Sequence, residues 1–254
     1  MRYLNDGFKN VYEKDLKTQE QYLGLIADEF RHCDVEILLD ACGIFVPNNE
    51  YMKTHFGVEC GLWDYTEKGT CIWSNAVIFP IRNITDEIVG INGYFPLNKL
   101  HKEAGETNYL YDIKYRISDK AVMNSSCYFF GVKGMQRKVL EDGYVILTDG
   151  TFDTLSLARA GLNSLALLGS SLSKQQIAFL SMLDRVYLAV DNDKAGVRLL
   201  RALRYRIRNA RGIRFNKYKD VDDVLKSDNR NQFLEQVRKQ IELDMPGDII
   251  VRLV

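Results

Sequence analysis

Tyr144–Gly161 reads YVILTDGTFDTLSLARAG, and the texture of the chain changes once within it. YVIL is an unbroken apolar run, too short for a helix and rich enough in branched residues for a buried strand. FDTLSLARA then follows a helical rhythm, and Gly161 ends it. A buried strand that passes straight into a helix is the opening unit of a parallel sheet covered by helices. The unit recurs downstream. SLALL (164–168) predicts a strand, and SLSKQQIAFLSML predicts a helix with Ser171 or Ser173 as its N-cap. RVYLAV (185–190) predicts a third strand, and KAGVRLLRALRYRIRNA a helix from Lys194. A short strand at GIRF comes next, then helices at DVDDVLKSD and NQFLEQVRKQIELD, and PGDIIVRLV reads as a tail.

Upstream the texture is different. Residues 1 to about 42 read as helical, with Tyr22, Leu23, Ile26 and Phe30 at helical spacing. From Gly43 to Gly93, β-branched and aromatic runs (CIWSNAVIFPI, EIVGINGYF) alternate with turn residues, which predicts antiparallel sheet. Residues 98–120 are polar and basic with weak periodicity. The expected fold is α/β, a Rossmann-like parallel sheet preceded by a mixed α+β module. The expected division is 1–140, 141–228, and a C-terminal helix and tail over 229–254.

The 254 residues are 46% hydrophobic and 27% charged, the balance of a folded globular chain. Basic and acidic side chains number 34 each, so net charge points to no partner and only its distribution informs. No apolar run reaches the roughly 18 residues of a membrane span, and the N-terminus has no apolar signal core. A cytoplasmic protein without membrane partners is expected, in the host cytoplasm if phage-encoded. Cys33, Cys42, Cys60, Cys71 and Cys127 are odd in number and form no CxxC pair, so buried free thiols are expected over a zinc ribbon. A metal site from Cys60, Cys71 and His55 would match no usual zinc spacing.

Acidic residues follow the predicted strands in sequence. Asp149 follows the first, Asp191 and Asp193 the third, and Asp220, Asp222 and Asp223 the fourth. Ligands of open α/β sheets bind beyond the carboxyl ends of the strands. Carboxylates meeting there repel unless a cation sits among them, and oxygen-only donors suit Mg²⁺ or Mn²⁺. Local roles compete with this reading. Asp193 is placed to cap the helix from Lys194, Asp191 to close an Asx turn, and Asp153 to sit in a helix first turn. Beside the acids lies a one-signed stretch. From Lys194 to Lys219 there is no acidic residue, and Arg198, Arg201, Tyr205 and Arg208 share one helical face while Leu199, Leu200, Leu203 and Ile207 share another. That face is either a solvated surface or a phosphate-binding stripe.

The run LTDGTFDTLSLARAGLNSLALLGSSLS followed by YLAVDNDKAG resembles the Toprim domain of topoisomerases and primases, above all DnaG-type bacterial and phage primases. KDVDDVL is similar to the family's third acidic segment, and AVIFPIRNITDEIVGINGYF, IKYRIS and YFFGV to its upstream segments. The resemblance covers roughly residues 35–228, the RNA-polymerase core of such a primase. It implies primer synthesis on single-stranded DNA from NTPs, with Mg²⁺ or Mn²⁺ and a replicative helicase or other replisome protein as partner. It implies Asp149 and Asp153 as catalytic acids and Asp191, Asp193, Asp220 and Asp222 as metal ligands. It implies Lys114, and Gly169-Ser170 in the loop between the second strand and its helix, near nucleotide or template, whereas Lys194, Arg198, Arg201 and Arg208 are nucleic-acid candidates from the one-signed run itself. A chain without the family's zinc-binding and helicase-binding domains is expected. Asp149 stands where the family has Glu, Ile117 where it has Asn, and Tyr94 where it has Arg. The Asp at 149 leaves a second reading open: a Toprim protein with altered or lost catalysis that binds DNA or a replisome, or a nuclease.

Overall fold

The computed structural model describes residues 2–27, 35–41, 43–46, 51, 72–98, 104–105, 113, 115–118, 123–169, 171–191, 193–215, 217–243 and 248–253. The chain forms two compact units, Met1–Ser125 and Ser126–Val254.

In the first unit, helix α1 (Arg2–Leu25) and the short α2 (Val35–Asp40) precede strand β1 (Ile44–Val46). Leu23 and Ile26 are buried, as their spacing predicts, whereas Phe30 lies outside the described residues. β1, β2 (Ala76–Arg82), β3 (Ile88–Tyr94) and β4 (Tyr115–Ile117) form an antiparallel sheet in that order. Ile44, Ile78, Ile91, Trp73 and Phe95 pack into one core with Val11 of α1. Gly93 shows why this sheet needs glycine: a Cβ there would lie 2.7 Å from the Trp73 ring.

The second unit is built on five parallel strands: β5 (Tyr144–Thr148), β6 (Ser164–Ala166), β7 (Arg185–Leu188), β8 (Ala210–Phe215) and β9 (Ile249–Val251). Their spatial order is β6-β5-β7-β8-β9, and all four pairings are parallel. The connecting helices are α3 (Met135–Asp142), α4 (Thr151–Arg159), α5 (Lys174–Leu180), α6 (Lys194–Arg206), α7 (Val221–Leu225) and α8 (Arg230–Glu242), with α3 leading into β5. Alternation along the strands fills two cores. Ile146, Tyr187 and Ile213 pack with Leu157 of α4, Val224 of α7 and Phe233 of α8. Val145, Leu147, Val186 and Leu188 pack on the other face with Val139 of α3, Leu180 of α5 and Leu203 of α6. The α/β reading is therefore borne out, with both faces of the parallel sheet covered. Ser173 is the N-cap of α5, and it forms a capping box with Gln176.

The tail is a strand. IIV at 249–251 pairs in parallel with β8, burying Ile249 and Val251 and exposing Ile250. Asp248 anchors it by accepting from the Gly212 amide and by ion pairs with Arg204 and Arg214. Cys127 is a free, half-buried thiol, and the other cysteines and His55 lie outside the described residues.

Candidate metal centre

β5 leads into α4 on one face of the sheet, and its neighbour β7 leads into α6 on the other. Adjacent strands whose helices leave to opposite faces open a crevice at their carboxyl ends, where open α/β sheets bind ligands. Asp149 is the residue after β5, and Asp191 lies just beyond β7. Asp153 reaches the same place from the first turn of α4. One carboxylate oxygen from each of Asp149, Asp153 and Asp191 lies within 4.8 Å of the other two.

The electrostatics follow from that convergence. Asp153 is only 8% exposed, and its carboxyl is pushed up to about 7, mainly by desolvation; the Asp222 amide opposes this, while Asp220, Asp222 and Asp149 add to it. Asp149 is exposed as a residue, yet desolvation and then the charge of Asp191 raise its carboxyl to about 6. Acids that resist ionisation because they are desolvated, and further because they face one another, are groups that a cation would restore to the charged form. The donor set is all oxygen, so it fits a hard divalent ion. Lys219 supplies part of the compensation: its ammonium sits 3.3 Å from Asp220 and 3.8 Å from Asp191.

Gly196 shapes the loop before α6. A Cβ there would collide with the carbonyl oxygen of Asp191 and lie 2.9 Å from its carbonyl carbon. Only glycine lets the first turn of α6 rest on the backbone that carries Asp191.

The other acids take local roles as well. Asp193 caps α6, one oxygen accepting from the Gly196 amide at 2.8 Å. Asp220 caps α7 by accepting from the Asp223 amide at 2.9 Å. Asp222 is buried, receives bonds from Ser156 and Lys226, and donates its own amide to Asp153. The structure thus draws Asp149, Asp153 and Asp191 into one cluster and sets Asp193, Asp220 and Asp222 around it, engaged with the protein. Ser156 and Lys226 were not singled out by sequence; the i,i+4 spacing of Asp222 and Lys226 was the available signal for the second.

The basic residues sort by structure. Arg204 pairs with Asp248, and Arg206 donates to the Leu172 carbonyl. Lys194, Arg198, Arg201 and Arg208 are exposed, and Tyr205 between them is 92% exposed. Gly169 is exposed in the loop after β6, and Lys114 and Ser170 lie outside the described residues. Among the described residues no helix is long and apolar enough to cross a membrane.

Residues 146–225, which contain this crevice, match the Toprim-like family. The chain shares the fold of the DnaG-type primase catalytic core over 94% of its length, which bears out the resemblance read from its motifs. The RNA polymerase domain of Mycobacterium tuberculosis primase DnaG superposes with a TM-score of 0.73 at 16% identity, over 94% of this chain and 83% of that one. A DnaG primase catalytic domain bound to ssDNA superposes with a TM-score of 0.67 at 17% identity, over 94% and 78%. A DNA primase of Rickettsia prowazekii (strain Madrid E) is 28% identical over 185 residues, covering 68% of this chain and 29% of that primase. The matched stretch spans less than a third of the length of the curated relatives.

Proposed function

We propose that the chain is a primase-like nucleotidyltransferase that makes RNA primers on single-stranded DNA from NTPs. The convergence of Asp149, Asp153 and Asp191 at the sheet's switch point, within a primase-core fold, carries this reading. These three carboxylates would hold Mg²⁺ or Mn²⁺, with Asp193 and Asp220 as further candidates carried from the family, while Asp222, the remaining family candidate, has its carboxylate turned to Ser156 and Lys226. A divalent ion there supplies Lewis-acid stabilisation of phosphate charge. The chain's own residues do the rest. Without a cation the Asp149 carboxyl is raised to about 6 by desolvation and the charge of Asp191, and a bound ion would return it to the carboxylate form beside the reacting groups. Burial and the Asp222 amide keep the Asp153 carboxyl in one orientation. Lys194, Arg198 and Arg201 on α6 offer exposed cations to a phosphate backbone, and Arg208, expected on the same helical face, lies beyond the helix because α6 ends at Arg206 and Ile207 is extended. Lys114, Gly169 and Ser170 are proposed near nucleotide or template, and a helicase or another replisome protein as partner.

Asp149 in place of the family's Glu favours a second reading, a Toprim protein with altered catalysis that binds DNA or a replisome, or cuts DNA. The test is labelled-NTP incorporation on single-stranded DNA with Mg²⁺ or Mn²⁺. RNA products that disappear in Asp191→Asn support primer synthesis. Metal-dependent cleavage of the template, or no product with a full set of templates, supports the second reading.

A further inference from the structure

We propose that Asp222 is an internal support, locked by Lys226 and Ser156, that fixes Asp153 through its backbone amide and does not itself coordinate the cation. The inference rests on the cation-site reading above and assigns Lys226 and Ser156 as positioning residues for it.

Asp222 is 5% exposed. The Ser156 hydroxyl donates to its Oδ1 at 2.7 Å, and the Lys226 ammonium donates to its Oδ2 at 2.7 Å. Both oxygens therefore face protein donors, one of them charged. A buried carboxylate paired in this way gives up a compensated charge if it turns to a cation, and it strands the lysine. Its backbone points the other way in the chain of bonds: the Asp222 amide donates to Asp153 Oδ1 at 2.9 Å. The helix that carries Asp222, α7, has five residues, too few to hold its own geometry without tertiary anchors. Ser156 lies on α4, the helix that also carries Asp153. One side-chain bond to Ser156 and one main-chain bond to Asp153 thus pin α7 to α4 at two points. Lys226, one turn on, pairs with Asp222 and offsets part of the charge that repels Asp153. Asp220, by contrast, is half-buried and has an exposed lysine for a neighbour.

The test pairs Mn²⁺ calorimetry on the full chain with hydrogen exchange at the Asp222 amide. In Lys226→Met the amide should lose protection and Mn²⁺ affinity should fall roughly tenfold, the low end for loss of an outer partner of a metal site. The double variant Asp222→Asn with Lys226→Gln replaces the ion pair by a neutral amide pair. It should recover protection and bind Mn²⁺ to within about twofold of the wild type, because coupled partners are not additive. A ligand role predicts the reverse. Tighter or unchanged Mn²⁺ binding in Lys226→Met, or a double variant as weak as Asp191→Asn, would overturn the proposal. If Lys226→Met does not fold, the double variant decides by the same criterion, with Lys226→Arg as the charge-keeping control. If the wild type binds no Mn²⁺, the proposed function fails. The support is then judged by amide protection alone, and protection unchanged in Lys226→Met, or in the double variant if that protein does not fold, sinks it.

Discussion

Gly196→Ala is a small change with a calculable cost. The added methyl would overlap the Asp191 carbonyl oxygen and lie 2.9 Å and 3.1 Å from the Asp191 carbonyl carbon and nitrogen. All three obstacles are backbone, so no rotamer change relieves them. Overpacking costs about 1–3 kcal/mol, and a backbone obstacle belongs at the upper end. Replacing glycine by alanine returns about 0.4–1 kcal/mol through the unfolded chain. The net loss is about 2 kcal/mol, or a fall in Tm of roughly 4–8 °C for a chain of this size. Because the pressure falls on the Asp191 backbone, the Mn²⁺-induced rise in Tm should shrink as well. Thermal unfolding with and without Mn²⁺ reads both. A Tm equal to or above that of the wild type, with an intact Mn²⁺ response, would refute the assignment of Gly196 to close packing on the acidic loop.

In the metal-free chain, Asp153 and Asp149 titrate near 7 and 6 when folded and in the ordinary carboxylate range when unfolded. The folded state holds the extra protons, so these groups cost nothing below about pH 4 and destabilise as pH rises through 7. Asp153→Asn should therefore gain stability relative to wild type from pH 4 to 8, measured by Tm in EDTA, and a constant difference would contradict the shift. Dinucleotide formation by Asp149→Asn should fall about 10²–10⁴-fold if Asp149 handles a proton, whereas Asp149→Glu should lower the rate less if the site has adapted to the shorter acid. Activity that is equal in all three proteins would remove Asp149 from the chemistry. Changing Arg198, Arg201 and Arg208 together to Glu should weaken single-stranded DNA binding and flatten its log–log salt dependence; an unaltered slope would make that face a solvated surface.

Strand–helix alternation from Tyr144 onward was legible because buried parallel strands and amphipathic helices obey local patterns. β4 and β9 were not. Each has three residues, fewer than a periodic signal needs, and each exists because a neighbouring strand pairs with it. DNDKAG pointed to an acidic site without telling its members apart. Of the two aspartates in it, Asp191 became a cluster member and Asp193 a helix cap that accepts from the Gly196 amide.

The sequence by itself determined the covered parallel sheet, the acids at its strand ends and the primase-core resemblance, since each rests on residue types at short spacing. Tertiary structure alone decided that Asp193 and Asp220 turn to cap helices beside the Asp149, Asp153 and Asp191 cluster, and that Asp222 turns inward to Ser156 and Lys226. Those outcomes depend on which strands lie side by side and on which donor each carboxylate meets first. Contacts as far apart as Ser156 and Asp222 leave no trace in local spacing.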